Sequence, residues 1–274
     1  MAQRSFIHSL VFLLLCFFSV QSLAADKAIK RVMKTGQLVI GVSGDQAPFV
    51  MLDAKNQLMG YDIDLAKALA HVMGVDAVFK IMPFNKLLLA LDNGNVDIVI
   101  SGMNITLARA QKVLFAGPYA MAGKSILTKS DILADNNQLE NYDTHSIKVV
   151  ALKNSTSEEF VKEFMPTAQY TALNTYDDGL MMVKDGSADI MVANMQFCLI
   201  AVLSHPQDKL MTLNKPLSIE PVGIAVADKN PGLHSLLQNY LDSYQTMGLL
   251  QKLHEKWFKD RSWLSQLPNK TIAM

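Results

Sequence analysis

The chain has few cysteines and no excess of charge of either sign. Each of these features excludes some classes of function or of stabilisation. Its 274 residues contain two cysteines, and basic and acidic side chains are equal in number, 25 of each. This balance argues against nucleic acid or an anionic membrane as a partner, because both select for a concentrated basic face. The histidines show no metal-ligand spacing, so we expect neither a metal nor another cofactor; they are His8, His71, His145, His205, His234 and His254.

Long apolar runs are also missing, except near the amino terminus. Arg4 precedes an apolar stretch over residues 6–18, and small residues follow at Ala24 and Ala25. This order is typical of a cleaved secretory signal peptide, and the stretch is shorter than a bilayer span. We predict a signal peptide over residues 1–24, cut after Ala24 or one residue later. A lipoprotein signal at Cys16 is the alternative, but Cys16 lies within the apolar core and follows the bulky Leu15.

Removal of that segment would leave Cys198 as the one cysteine of the exported chain. No intramolecular disulfide could then form, even in an oxidising compartment. Cys198 lies in an apolar run and is therefore expected as a buried apolar side chain. Ordinary hydrophobic cores must stabilise the remaining residues, and a chain of this length can build one large or two small lobes.

Short β-rich runs alternate with amphipathic segments along the exported chain. Residues 38–42 suit a strand, and the helical spacing that follows is closed by Gly74. A helix over 85–93 ended by Gly94 and a strand over 96–100 come next. The second half repeats the pattern with a strand over 148–152, a helix from about Ser157 to Phe164 and a strand over 169–173. This alternation predicts an α/β fold.

The two halves also share a short internal repeat. Residues 92–100, Asp-Asn-Gly-Asn-Val-Asp-Ile-Val-Ile, resemble residues 184–192, Lys-Asp-Gly-Ser-Ala-Asp-Ile-Met-Val. We interpret the repeat as two lobes of one design. Ligands collect beyond the carboxyl ends of strands in open α/β sheets, so residues 101–104 and 193–194 would face one cleft.

The last third of the chain predicts a return to the first lobe. A strand over 221–226 precedes a helix that Asn230 and Pro231 open, and a further helix runs through Trp257. We therefore expect a first lobe over 25–124, a second lobe over 125–224 and a return segment over 225–274. Two crossings, near 125–128 and 223–226, would form a double-strand hinge.

The segment from Gly102 to Arg109 predicts an anion site. Thr106 suits a helix N-cap, which places Arg109 at the third helical position. The helix dipole and the capping box favour Glu or Gln at that position, so an Arg is unfavourable for the helix itself. Binding of a carboxylate ligand would explain the Arg, because the backbone N–H groups and the guanidinium fork would both bind the carboxylate. The alternative is an Arg that reaches back to a surface acid.

Several motifs, in order, resemble the family 3 extracellular solute-binding proteins. They are Gly41 to Asp45 with Pro48-Phe49, Gly60 to Ala66, Gly94 to Arg109, Phe115 to Tyr119, Val149 to Ser157, Gly186 to Asn194, Gly223 to Val226, and Gly248 to Phe258. The resemblance covers about residues 35 to 260. It implies a two-lobed type II periplasmic binding fold that closes on one small solute in a cleft between the lobes.

The resemblance also implies a ligand-binding set. Arg109 would pair with the ligand carboxylate, helped by the Gly102 backbone, and Phe84 would pack on the ligand. A loop of the second lobe would meet the carboxylate from the other side, although Thr156 and Ser157, with Glu158 and Glu159, can equally cap a helix. The full set is Asp45, Phe84, Gly102, Asn104, Arg109, Lys153, Thr156, Ser157 and Asn194.

Two positions depart from the family pattern. Asn194 stands where members that bind α-amino acids usually carry an Asp that balances the ligand ammonium, and Asn104 replaces a Ser or Thr. An amide cannot supply the missing charge, and an unpaired ammonium in a closed cleft is unfavourable. The ligand is then either a carboxylate without an ammonium, or Asp45 supplies the charge from another direction.

We expect a monomeric periplasmic binding protein that delivers a small carboxylate or amino acid to an inner-membrane ABC permease and carries out no chemistry. One alternative is a periplasmic dehydratase of prephenate or arogenate type on the same fold, for which Lys153, Glu158 and Glu159 are the acid–base candidates. Another is a receptor that docks on a membrane sensor.

Overall fold

The computed structural model describes residues 27–135 and 144–268. The predicted signal peptide lies outside the described residues. No helix within the described ranges is both long enough and apolar enough to span a membrane.

The first part of the chain builds a parallel sheet with helices around it. In chain order its elements are α1 (Lys27–Thr35), β1 (Gln37–Val42), β2 (Asp45–Gln46), β3 (Val50–Leu52), β4 (Leu58–Met59), α2 (Tyr61–Met73), β5 (Asp76–Ile81), a 3-10 turn (Phe84–Lys86), α3 (Leu87–Asp92), β6 (Ile98–Val99) and α4 (Leu107–Ala110). Strand β1 pairs in parallel with β5 and β6, and β2, β3 and β4 form a small antiparallel sheet. Gly74 ends α2 in the left-handed conformation, as its position in the sequence predicts.

The middle of the chain builds a second unit of the same kind. It contains α5 (Asp131–Asp135), a 3-10 turn (Thr144–Ser146), β8 (Lys148–Leu152), α6 (Thr156–Phe164), β9 (Gln169–Leu173), α7 (Tyr176–Asp185), β10 (Ile190–Asn194), α8 (Met195–Ser204), a 3-10 turn (Pro206–Asp208) and β11 (Met211–Thr212). Strand β8 lies between β9 and β10 and pairs in parallel with both.

Two long strands join these units into one nine-stranded sheet. They are β7 (Val113–Thr128) and β12 (Ser218–Ala227), and the order is β5-β1-β6-β12-β7-β10-β8-β9, with β11 also paired to β7. They run antiparallel, with an irregularity between Val222 and Ile224. After β12 the chain returns through α9 (Pro231–Thr246), α10 (Leu249–His254), a π turn (Glu255–Lys259) and a 3-10 turn (Ser262–Gln266). The double hinge and the boundaries at 124/125 and 224/225 stay predictions.

The internal repeat has the same structural role in both units. Asp97 precedes β6, and its carboxylate accepts a hydrogen bond from the backbone N–H of Val39 at 2.7 Å. Asp189 precedes β10, and its carboxylate accepts from the backbone N–H of Lys148 at 2.8 Å. Each aspartate therefore fixes the start of its own strand against the neighbouring parallel strand.

The strand and helix predictions differ from the structure mainly at their ends. The predicted helix over 85–93 is a 3-10 turn over Phe84–Lys86 that continues as α3 over Leu87–Asp92, and the predicted strand over 96–100 is reduced to Ile98–Val99. Asp97 explains the later start of the strand, because its side chain, rather than a backbone carbonyl, accepts from the Val39 N–H. Cys198 is fully buried among apolar side chains, which confirms its prediction.

Candidate functional site

A short helix places Arg109 at the edge of the sheet. Thr106 has an extended backbone, and its hydroxyl accepts a hydrogen bond from the backbone N–H of Arg109. The N-cap prediction is therefore confirmed, and Arg109 is the third residue of α4. This geometry turns the arginine side chain inward, where only 7% of the residue surface is exposed.

The guanidinium of Arg109 joins the two lobes. Nη1 donates to the Asn104 carbonyl at 2.8 Å, and Nη2 donates across the cleft to the Asn154 carbonyl at 2.9 Å. The Phe84 ring lies beside it, with its centroid 5.7 Å from the guanidinium carbon. No carboxylate in the described ranges forms an ion pair with Arg109, which argues against the surface-acid alternative. A guanidinium has five N–H donors, so donors remain for a carboxylate.

Gly102 belongs to the site through its backbone conformation. Its φ of +55° lies in the left-handed region, and a Cβ there would be 2.6 Å from Nε2 of Gln46. Its N–H donates to Asp62 Oδ2 at 2.5 Å. Because this N–H already has an acceptor, the predicted contact between Gly102 and the ligand cannot use it in this arrangement.

Asp62 braces that loop from inside the first lobe. The residue is fully buried, and its other carboxylate oxygen accepts from the Tyr119 hydroxyl at 2.9 Å. Burial raises the pKa of Asp62 from 3.8 to about 7, although the hydrogen bonds from Gly102 and Tyr119 act in the opposite direction. This role of Asp62 was not predicted from the sequence, where the residue is only one member of the Gly60–Ala66 motif.

An ion pair between the buried Lys124 and the partly buried Glu220 lies near Arg109. Lys124 Nζ is 2.5 Å from Glu220 Oε1 and donates to the Thr156 hydroxyl at 3.0 Å, and that hydroxyl donates to Glu220 Oε2 at 2.7 Å. Burial lowers the pKa of Lys124. Burial acts to raise the pKa of Glu220, but Lys124 and the hydroxyls of Thr156 and Ser218 outweigh it and hold this pKa below its ordinary value. The Glu220 carboxyl is therefore charged near neutral pH.

The sequence analysis did not name Lys124 or Glu220. Lys124 is the one charged residue of β7, and Glu220 is the one charged residue of β12. A single charge in an otherwise uncharged strand is the sequence feature that could have pointed to them. The acids that the sequence did suggest lie outside this cluster. Glu158 accepts from the backbone N–H of Asn154 at 2.5 Å and pairs with Lys162, while Glu159 is exposed.

The second-lobe loop divides into buried and exposed residues. Ser155, rather than Thr156 or Ser157, is the N-cap of α6, because its hydroxyl accepts from the backbone N–H of Ser157 and of Glu158. The Thr156 hydroxyl is thus used by the ion pair, and Ser157 is buried in the first turn. Lys153 is exposed and its backbone N–H donates to the Leu173 carbonyl, so no contact within the described residues brings its side chain to the site.

Asn104 lies in the loop after β6, and Asn194 is the last residue of β10. They are 5% and 3% exposed, and within the described residues neither Nδ2 has a hydrogen-bond partner. Asn194 lies opposite Lys124 in the antiparallel ladder of β10 and β7. Asn104 forms an isolated bridge with Val222 of β12. The backbone of Asn194 therefore lies beside Lys124, and that of Asn104 lies two residues from Glu220 along β12. That both residues face one cleft stays a prediction.

Asp45 belongs to the first lobe, like Arg109, and also contacts the second lobe. Its Oδ2 accepts from the backbone N–H of Tyr176 at 2.9 Å, which again joins the two lobes, and its Oδ1 has no partner among the described residues. Burial raises the pKa of Asp45. A cavity of about 660 Å³ adjoins it, with Asp177, Leu180 and Phe197 in its wall, but Arg109 does not line this cavity.

Metal ligation finds no support in this part of the molecule. No group of three His, Cys, Asp or Glu side chains in residues 27–135 and 144–268 is placed to hold an ion. The chemistry on offer is instead two cations, two carboxylates and two amides around a cleft, which suits recognition of a small polar solute.

Known proteins are similar to this chain in sequence and in structure. The ABC transporter arginine-binding protein 1 of Escherichia coli is 28% identical over 80% of this chain and 89% of its own length. The cyclohexadienyl dehydratase of Pseudomonas aeruginosa is 23% identical over 87% of this chain and 88% of its own. A crystal structure of an ancestral amino-acid-binding protein, described as a precursor of cyclohexadienyl dehydratase, matches with a TM-score of 0.77 and 34% identity over 85% of this chain and all of that one.

The model of the bacterial extracellular solute-binding proteins, family 3, matches residues 38–260. This match spans most of the chain, and the solved neighbours have the two-lobed type II periplasmic binding fold that the resemblance implied. The chain therefore belongs to the bacterial extracellular solute-binding proteins, family 3.

Proposed function

We propose that this protein binds a small carboxylate-bearing solute, an amino acid or a related organic acid, in the periplasm and delivers it as a monomer to an inner-membrane ABC importer. One observation carries the proposal: Arg109 is buried, is held by carbonyl groups of both lobes, and keeps N–H donors that these carbonyls do not use. A bidentate, charge-assisted pair with a carboxylate is the strongest use of such a group.

Closure of the lobes is the step that binding would control. Two contacts cross the cleft, one from Arg109 to the Asn154 carbonyl and one from the Tyr176 N–H to Asp45. A solute that contacts both lobes stabilises the closed state only through its higher affinity for that state. An importer could then distinguish loaded from empty protein by its shape.

A thermal-shift panel on residues 25–274 tests the proposal. Amino acids, dicarboxylates and aromatic acids are the probes, and a ligand at about a hundred times its Kd adds roughly 2.7 kcal/mol to the free energy of unfolding. Arg109→Ala should abolish the shift, and Arg109→Lys should weaken it because the fork is lost. Arg261→Ala is the matched control, since Arg261 is exposed. Retained affinity in Arg109→Ala, with the control unchanged, would refute the site.

Chemistry on the ligand is the second candidate, and the Lys124–Glu220 pair is the observation that favours it. A partly buried carboxylate and a buried ammonium beside the proposed solute site could take part in acid–base catalysis, and the Pseudomonas relative is named a dehydratase. Against this, the lowered pKa of Glu220 makes it a poor proton donor near neutral pH. Incubation with prephenate or arogenate, with product analysis and Glu220→Gln as the inactive comparison, tests this candidate; no conversion by the parent chain would exclude it.

A further inference from the structure

Two buried amide donors in the cleft have nothing to bind. Nδ2 of Asn104 and Nδ2 of Asn194 are each buried, and neither has an acceptor among the described residues. Buried N–H groups are nearly always paired, since an unpaired one loses its hydration without replacement. The partner that would satisfy them is an oxygen atom with lone pairs.

The cation beside Asn194 already has a carboxylate partner. Lys124 lies opposite Asn194 in the ladder, where cross-strand Cβ atoms are roughly 4.5–5.5 Å apart, and Lys124 pairs with Glu220. The ammonium of an α-amino acid placed here would add a cation next to Lys124. It has only donors, so it could not accept a hydrogen bond from either amide.

The other two carboxylates to consider are Glu159 and Asp45. Glu159 acts on Arg109 and Lys124 electrostatically, but it is exposed to solvent. Asp45 forms part of the wall of the neighbouring cavity, and neither Asn104 nor Asn194 lines that cavity.

We propose that the solute is a 2-oxo or 2-hydroxy acid rather than an α-amino acid, with its carboxylate on Arg109 and its 2-oxygen accepting hydrogen bonds from Nδ2 of Asn104 and Asn194. This inference rests on the proposed function, in which Arg109 binds the carboxylate. It deepens that function by naming the atom next to the carboxylate. The shared chemistry of the two acids is an oxygen acceptor where an amino acid has a donor.

Calorimetry with matched sets of acids tests the proposal. The probes are alanine, lactate and pyruvate; glutamate, 2-hydroxyglutarate and 2-oxoglutarate; and phenylalanine, phenyllactate and phenylpyruvate. In at least one set the oxygen-bearing acids should bind at least about tenfold more tightly than the amino acid. Within that set, the stronger of the two acids distinguishes a keto from a hydroxyl ligand.

Two variants of Asn194 test the role of the amide. Asn194→Ala should weaken the oxygen-bearing acid by roughly 5- to 150-fold, the effect of one lost hydrogen bond that leaves a buried group unpaired, and should not weaken the amino acid. Asn194→Asp should reverse the preference, because a carboxylate there accepts from an ammonium. Melting curves without ligand establish whether each variant folds. If Asn194→Asp does not fold, Asn194→Ala still tests the proposal.

The other outcomes separate the two proposals. Tighter binding of the amino acids that Arg109→Ala abolishes would leave the proposed function standing and overturn this inference, and loss of that binding in Asp45→Asn would identify Asp45 as the ammonium partner. Binding of no probe, or binding that is insensitive to Arg109→Ala, would overturn both.

Discussion

The contribution of the buried Asp62 carboxyl to the stability of this protein should fall as pH rises from acid to neutral. Its pKa is raised to about 7 from an ordinary 3.8, chiefly by burial. Below pH 3.8 the carboxyl is protonated in both the folded and the unfolded chain, so the full stabilising contribution of Asp62 is present in that range. As pH rises, the unfolded chain loses this proton first, and the contribution is lost progressively until the folded carboxyl also ionises.

The magnitude follows from the size of the pKa shift. About three pH units at about 1.4 kcal/mol per unit give on the order of 4 kcal/mol between acid and neutral pH. Asp62→Asn removes the titration and keeps the shape, since the amide oxygen can accept from the Gly102 N–H and the amide N–H₂ can donate to the Tyr119 hydroxyl. In a chain of this size 1 kcal/mol corresponds to roughly 2–4 °C in Tm.

Urea unfolding of parent and variant, from about pH 4 to about pH 8, measures the effect as a difference of two free energies. Contributions from other ionisable groups cancel in that difference when the variant leaves them unchanged. Asp92→Asn is the control, because Asp92 is an exposed acid of the same lobe. The parent should lose stability relative to Asp62→Asn as pH rises, and the control should follow the parent. Parallel curves for parent and Asp62→Asn would refute the raised pKa.

Three further outcomes test the packing. Gly60→Ala should strongly destabilise the protein or prevent folding, because the φ of Gly60 is 137° and a Cβ would lie 2.2 Å from the Phe49 carbonyl oxygen. Gly74→Ala is the control, because a Cβ at Gly74 meets no atom within 4 Å. It should reduce the free energy of unfolding, measured by chemical denaturation, by only about 1 kcal/mol. Cys198 should resist a thiol reagent in native residues 25–274 and react after unfolding, since burial raises its pKa to about 12, and rapid native labelling would contradict this. Ser155→Ala should reduce the free energy of unfolding by about 1 kcal/mol through loss of the α6 N-cap, whereas an unchanged urea midpoint would show that the cap is not stabilising.

Local features of the site were predictable because their causes are close in sequence. The Thr106 N-cap and the third helical position of Arg109 depend on three consecutive peptide units. The repeat around Asp97 and Asp189 likewise indicated two equivalent strand starts. These features follow from short-range hydrogen bonding and side-chain periodicity, and one sequence contains that information.

Tertiary structure alone decided which distant groups meet. Lys124 and Glu220 are 96 positions apart, and Asp62 and Gly102 are 40 apart. Their contacts depend on the pairing register of β7 with β12 and on how α2 packs beneath the Gly102 loop. A shift of one residue in a strand would turn Lys124 to the opposite face of the sheet. The sequence by itself therefore determined the family, the helical position of Arg109 and the presence of an amide at Asn194. The fold decided that Lys124, which is paired with Glu220, lies opposite that amide.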